Sequence, residues 1–153
     1  MNISYLFTDE KNEYFINLDK ELWEEYFENV GDIVDKYQEV NNLEGKHFVV
    51  LIFNESDNNS PIACGSFKEY SKDTVEIKRV FVKKPYRKQG LATSIMEKLE
   101  NEAKNRGYGF SILVTGAHNS SSQVLYKKLD YEIIEGFGFF KRDSEAICYK
   151  KRL

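Results

Sequence analysis

A chain of 153 residues, 41% of them apolar and including ten Tyr and eleven Phe, is long enough to bury a core as one domain and too rich in aromatic residues to be disordered. Its 22 basic and 25 acidic residues leave a net charge of −3, against the strongly basic profile of a general nucleic-acid binder. No apolar run approaches the roughly 20 residues of a membrane span, and Met1-Asn2-Ile3-Ser4-Tyr5 lacks the basic-then-apolar plan of a leader, so the cytosol is the expected compartment. The two cysteines, Cys64 and Cys148, sit in β-like runs without a His or Cys at ligand spacing, and they read as buried reduced thiols rather than redox or metal groups.

In chain order, Ile3 to Phe7 is a short apolar opening. Leu22, Trp23, Tyr26, Phe27 and Val30 then recur at helical spacing, and Ile33, Val34 and Tyr37 begin a second pattern after Gly31, which predicts two short helices. Between Asp9 and Glu44 twelve acidic residues stand against three basic ones, either a solvated helical face or an acidic wall toward a substrate. His47 to Phe53 is a continuous apolar, β-branched run. It is followed by the turn formers from Asn54 to Ser60 and a second strand over Ile62 to Phe67.

A third strand, Thr74 to Val82, alternates Val75 and Ile77, then Val80 and Val82. The change of phase at Lys78-Arg79 predicts a bulge or bend. Leu91, Ile95, Leu99 and Ala103 share one helical face that stops at Gly107, and Phe110 to Val114 reads as a buried strand, giving a βαβ unit. Asn119 opens another helix with Val124, Leu125 and Leu129. β-like segments at Tyr131 to Ile134 and Ala146 to Lys150 close the chain around Gly136-Phe137-Gly138. Strands before and after the crossover predict a single α/β (α+β) domain with a mixed sheet and helices on both faces.

The segment from Glu76 to Ala92 runs a strand through a basic turn directly into an amphipathic helix. Free N–H groups and the dipole at a helix start favour an anion, Gly90 lets the backbone approach a ligand, and six basic residues lie between Lys78 and Lys88. An ordinary strand-to-helix turn with solvated lysines would look similar. There is no Gly-x-x-x-x-Gly-Lys-Ser/Thr loop and no Gly-x-Gly-x-x-Gly after a strand, which sets aside the kinase and dinucleotide readings.

Arg87-Lys88-Gln89-Gly90-Leu91-Ala92 resembles the Arg/Gln-x-x-Gly-x-Gly/Ala motif of the GNAT acetyltransferases. Glu76-Ile-Lys-Arg-Val-Phe-Val resembles the strand before it, and Leu125-Tyr126-Lys127-Lys128-Leu129-Asp130-Tyr131 resembles their Leu-Tyr-x-Lys-x-Gly-Phe/Tyr segment; the likeness runs from about Ile62 to Leu153. The resemblance implies the GNAT fold, a twisted, mixed, mostly antiparallel sheet of about six to seven strands. It implies acetyl-CoA as cosubstrate without a metal, held where the third and fourth main strands splay apart. The pyrophosphate would lie on the backbone of Arg87, Lys88, Gln89, Gly90, Leu91 and Ala92, and the pantetheine arm along Val80, Phe81 and Val82. A main-chain N–H near Phe81 or Val82 would stabilise the oxyanion.

By the same resemblance Tyr126 would donate a hydrogen bond to the departing thiolate, and Glu76 would be the base that deprotonates the amine, directly or through water. Core packing for Tyr126, and a lysine partner or solvent for Glu76, are the plainer alternatives. Asn119 would touch the pantetheine, cap its helix or do both. His47 and His118 are weaker candidates with no metal partner. Asp130 stands in place of the usual glycine, in left-handed geometry that Asp tolerates better than most residues, and Val114 stands where similar sequences tend to carry Glu.

The resemblance further implies that Leu18 to Asn42 and Gly136 to Ser144 wall the acceptor, a small-molecule or peptide amine. The acidic first region would favour a cationic acceptor, and Phe137, Phe139 and Phe140 would supply an aromatic wall. Many relatives are homodimers. A non-catalytic acetyl-CoA sensor and a nucleic-acid binder using the Lys78 to Lys88 patch are the rival readings, the latter weakened by the missing aromatic platforms.

Overall fold

The computed structural model describes residues 1–30, 43–137 and 145–153. The pattern at Ile33, Val34 and Tyr37 and the aromatics Phe139 and Phe140 lie outside them. Among the described residues seven strands form one sheet: β1 (Ile3–Asp9), β2 (Phe48–Asn54), β3 (Ser60–Ser71), β4 (Thr74–Val82), β5 (Phe110–Gly116), β6 (Glu132–Ile134) and β7 (Ala146–Arg152), in the order β1-β2-β3-β4-β5-β7-β6. Every neighbouring pair is antiparallel except β4 and β5, which the crossover helix makes parallel. The helices are α1 (Glu13–Val30), α2 (Leu91–Asn105) and α3 (Ser120–Lys128), with a 3₁₀ turn at Lys84–Tyr86.

Period-two alternation along β2 sorts its apolar run onto two faces. Val50 and Ile52 join Ile95, Met96 and Leu99 of α2 in the larger core, whereas Val49, Leu51 and Phe53 meet Phe15 and Leu18 of α1 on the other side. The continuous hydrophobicity of β2 is that of a strand covered on both faces. Each fully buried Leu or Ile there contributes about 1.5–3 kcal/mol.

Helix α1 corrects the expectation of a short helix near Leu22. It begins at Glu13, where the Asn12 side chain accepts from the N–H groups of Tyr14 (2.9 Å) and Phe15 (3.2 Å), and it runs unbroken to Val30. Phe15 and Leu18 already carry the helical period, one turn apart and completed by Leu22, and all three pack in the same cluster.

The phase change in β4 is a bulge. Phe81 faces Cys64 and Lys78 faces Ser66, so Gly65 alone opposes Arg79 and Val80, and Arg79 takes a left-handed φ of 60°. Gly65 is required: a Cβ there would come within 2.4 Å of Ile95 Cγ2. The freed carbonyls are satisfied from β3, with Ser66 Oγ donating to Lys78 O (2.9 Å) and Cys64 Sγ to Arg79 O (3.3 Å). Asp130 adopts φ 68°, the left-handed closure that replaces the usual glycine after α3.

Candidate active site

β4 and β5 pair through Thr74, Val75 and Glu76 and then part, although β4 continues to Val82 and β5 to Gly116. Among the described residues, the parting leaves one edge of β4 without a strand partner beyond Glu76. Strand amides point alternately to either side, and the N–H of Lys83 is spent on Ile62 O of β3 (2.9 Å), so the N–H of Val82 is directed to the open edge. The gap widens into a cleft of about 1090 Å³, at the top of the range for ligand pockets and suited to a long ligand.

At one end of the cleft the chain turns into α2 at Gly90, whose φ is 80° and whose would-be Cβ has nothing within 4 Å. No side chain caps this helix, and its first turn carries no acidic residue. The opening N–H groups of α2, which have no acceptor within the helix, therefore border the cleft in an arrangement that suits an anion, with Lys88 alongside at φ 63°. Arg87 also borders this end, but its Nε donates to Val82 O (2.8 Å) and its Nη2 to Glu25 of α1 (2.6 Å).

Tyr126 enters from α3 on the α2 side of the sheet, 6% exposed and packed beside Tyr131 and Tyr149. Burial, and then the neighbouring Tyr149, raise its phenol well above the ordinary tyrosine range. Glu76 lies on the opposite face, 7% exposed, with its carboxylate 3.6 Å from Lys78 Nζ. Desolvation pulls the Lys78 ammonium below its usual range, and Glu76 pulls it back up. Asn119 caps α3 by accepting from Ser122 N–H (3.1 Å) and borders the cleft as well.

Every anticipated cofactor-binding and catalytic residue lines this cleft except Gln89, which is exposed, while Phe137 of the anticipated aromatic wall packs edge to face on Tyr70 outside the cleft lining. His118 borders it too, while His47 is buried at the foot of β2, its ring nitrogen beside Glu44 O and its pKa lowered by burial. Within the stretch from Leu18 to Asn42 expected to wall the acceptor, α1 brings Trp23 and Tyr26 to the cleft, two residues read in the sequence only as part of a helical pattern. Trp23 and Tyr26 pack edge to face at 5.9 Å across the cleft from β5, and a Cβ on Gly116 would lie 2.8 Å from Tyr26 Oη. Of the acidic residues in that stretch, Asp19, Glu21 and Glu25 pair with Arg79, Lys83 and Arg87. Among the described residues no group of three His, Cys, Asp or Glu side chains is placed to hold a metal, and no helix is long and apolar enough to cross a membrane.

The family model described as "Acetyltransferase (GNAT) family" matches residues 8–131. The uncharacterised N-acetyltransferase YsnE of Bacillus subtilis is 27% identical over 92 residues, which are 59% of this chain and 61% of that protein, so the match spans under two thirds of the relative's length. In fold the chain is similar to the PaiA N-acetyltransferase of Thermoplasma acidophilum in complex with coenzyme A, with TM-score 0.76, 15% identity and 100% of each chain covered. It is also similar to a GNAT family acetyltransferase from Elizabethkingia anophelis with acetyl-CoA bound, with TM-score 0.70, 19% identity and 99% of each chain covered.

Proposed function

The chain belongs to the acetyltransferase (GNAT) family, and from that premise we propose that it transfers an acetyl group from acetyl-CoA to a primary amine of a small molecule or peptide. The observation that carries this reading is the parting of β4 from β5, which puts an open strand edge, an uncapped helix start, Tyr126 and Glu76 in one cleft. The relatives solved with coenzyme A or acetyl-CoA support the choice of cosubstrate.

The residues fit that molecule. The N–H groups from Lys88 to Ala92 would hold the pyrophosphate, with the helix dipole and Lys88 adding positive field, and the free edge from Val80 to Val82 would pair with the amide-bearing arm as an added strand. Acetyl-CoA supplies an activated thioester; the chain supplies orientation and proton handling. Of the two backbone donors anticipated near the thioester, strand alternation favours Val82, and such a fixed donor contributes most where negative charge develops.

The two proton tasks fall on opposite faces of the sheet. On the α1 face Glu76 takes the proton of the incoming ammonium, directly or through one water. On the α2 face the Tyr126 hydroxyl donates a hydrogen bond to the leaving sulfur. Lys78 keeps the Glu76 site electrically balanced. Acceptor recognition falls to Trp23, Tyr26 and the neighbouring wall of β5.

The test is release of free CoA thiol from acetyl-CoA across polyamines, amino acids, aminoglycosides and peptide N-termini, with Tyr126→Phe as control. Tyr126-dependent release with one acceptor class is the expected result. Binding without turnover on any acceptor would shift the assignment to a sensor, and failure to bind acetyl-CoA would overturn the reading.

A further inference from the structure

Helix α1 meets the cofactor strand and its turn through three ion pairs: Asp19 with Arg79 at 2.6 Å, Glu21 with Lys83 at 3.5 Å, and Glu25 with Arg87 at 2.6 Å. They are unequal. Glu21 and Lys83 are substantially solvated, and such a pair contributes little. Arg79, by contrast, is the bulge residue itself, its side chain 6% exposed and its guanidinium 5.2 Å from the Trp23 ring centre. Arg87 is held by the Val82 carbonyl, the Glu25 carboxylate and the Phe81 ring, whose centre is 5.7 Å away.

A buried ion pair is a poor source of stability, and here desolvation drives the Asp19 carboxyl up and the Arg79 guanidinium down in spite of their attraction. What the pair does hold is a shape. Arg79 stands in a left-handed conformation that a residue with a side chain avoids, and Asp19 fixes its far end while Cys64 fixes its carbonyl.

We propose that Asp19 and Glu25 are positioning residues of the transferase: Asp19 sets the bulge at which β4 leaves β5, and Glu25, through Arg87, sets the turn that receives the pyrophosphate. The inference rests on the function proposed above. It makes Arg87 a strut between Val82 and Glu25, leaving the phosphates to backbone N–H groups and Lys88. Because Trp23 and Tyr26 stand on the same helix, α1 also holds the acceptor wall in register with the thioester strand.

The two roles open to Arg87 give opposite signs for one substitution. If Arg87 is a strut, Glu25→Gln weakens acetyl-CoA binding by about fivefold in calorimetry, and Arg87→Gln and the double variant show the same loss without adding to it. If Arg87 binds phosphate and Glu25 competes for it, Glu25→Gln tightens binding and Arg87→Gln is much the more damaging; either result overturns the proposal.

For Asp19 the readout is a split between constants, measured with the acceptor that the thiol-release panel identifies. Asp19→Asn lowers kcat more than it raises KM for acetyl-CoA, because the bulge lies at the thioester end, and Asp19→Glu recovers part of the loss. Equal changes in both constants without recovery would remove Asp19 from this role. Should Asp19→Asn fail to fold, the pair Asp19→Asn with Arg79→Gln leaves no buried charge uncompensated and carries the same split. Wild-type protein that binds no acetyl-CoA defeats the proposed function, whereas wild-type binding with Glu25→Gln affinity unaltered defeats the brace alone.

Discussion

The two faces of the sheet solve different problems. Toward α2 the side chains are apolar, from Val50 and Ile52 to Ile95, Met96 and Leu99, and that face fixes the position of the helix whose N-terminus opens on the cleft. Toward α1 a smaller apolar cluster around Phe15 and Leu18 gives way to charge: Glu76 with Lys78, Asp19 with Arg79 and Glu25 with Arg87. One face supplies rigidity by excluding water, and the other gathers charged pairs beside the cleft. The cleft between β4 and β5 is where the two meet.

The sharpest way to break that contrast is Leu99→Ala, which removes a fully buried side chain on the α2 face and lowers stability by about 2–5 kcal/mol in denaturant unfolding. A loss under about 1 kcal/mol would mean that this face is not the one that carries stability. Next is Gly90→Glu, which sets a carboxylate at the anion site on a backbone of φ 80°. Acetyl-CoA affinity should fall by about 100-fold or more with the circular dichroism spectrum preserved, and retained affinity would move the phosphates elsewhere.

Tyr126→Phe keeps the ring and its packing and deletes only the hydroxyl. Turnover should fall by about 100-fold, with KM for acetyl-CoA changing much less, and an unaltered rate would return Tyr126 to the α2-face core. The smallest effect belongs to Glu76→Gln, which is expected to lower kcat/KM by about tenfold at neutral pH, least for acceptors whose amines are already deprotonated. A loss of equal size for every amine, whatever its basicity, would reduce Glu76 to the partner of Lys78.

Much of the cofactor half could be read from the residues themselves. β4 runs from Thr74 to Val82 as the alternation indicates, and the change of phase at Lys78-Arg79 marks the bulge because a one-residue insertion must shift a period-two pattern. Helix α2 ends before Gly107, whose φ is 92°. The start of α1 was missed because its signal is Asn12, a cap placed well ahead of the aromatic cluster that dominates the periodicity. The partners of the acidic stretch were illegible for another reason. Asp19 and Arg79 lie 60 positions apart, and pairing over such a distance depends on helix packing that no local pattern records.

The bulge has one more participant. Cys64 is fully buried beneath it, and burial lifts its thiol far above the usual cysteine range, while Cys148 is buried as well. Folded protein should therefore be silent toward thiol reagents, so that colour developed during turnover counts CoA alone. The same two sulfurs become reactive once the chain opens, giving each reaction mixture an internal register of how much of its enzyme has unfolded.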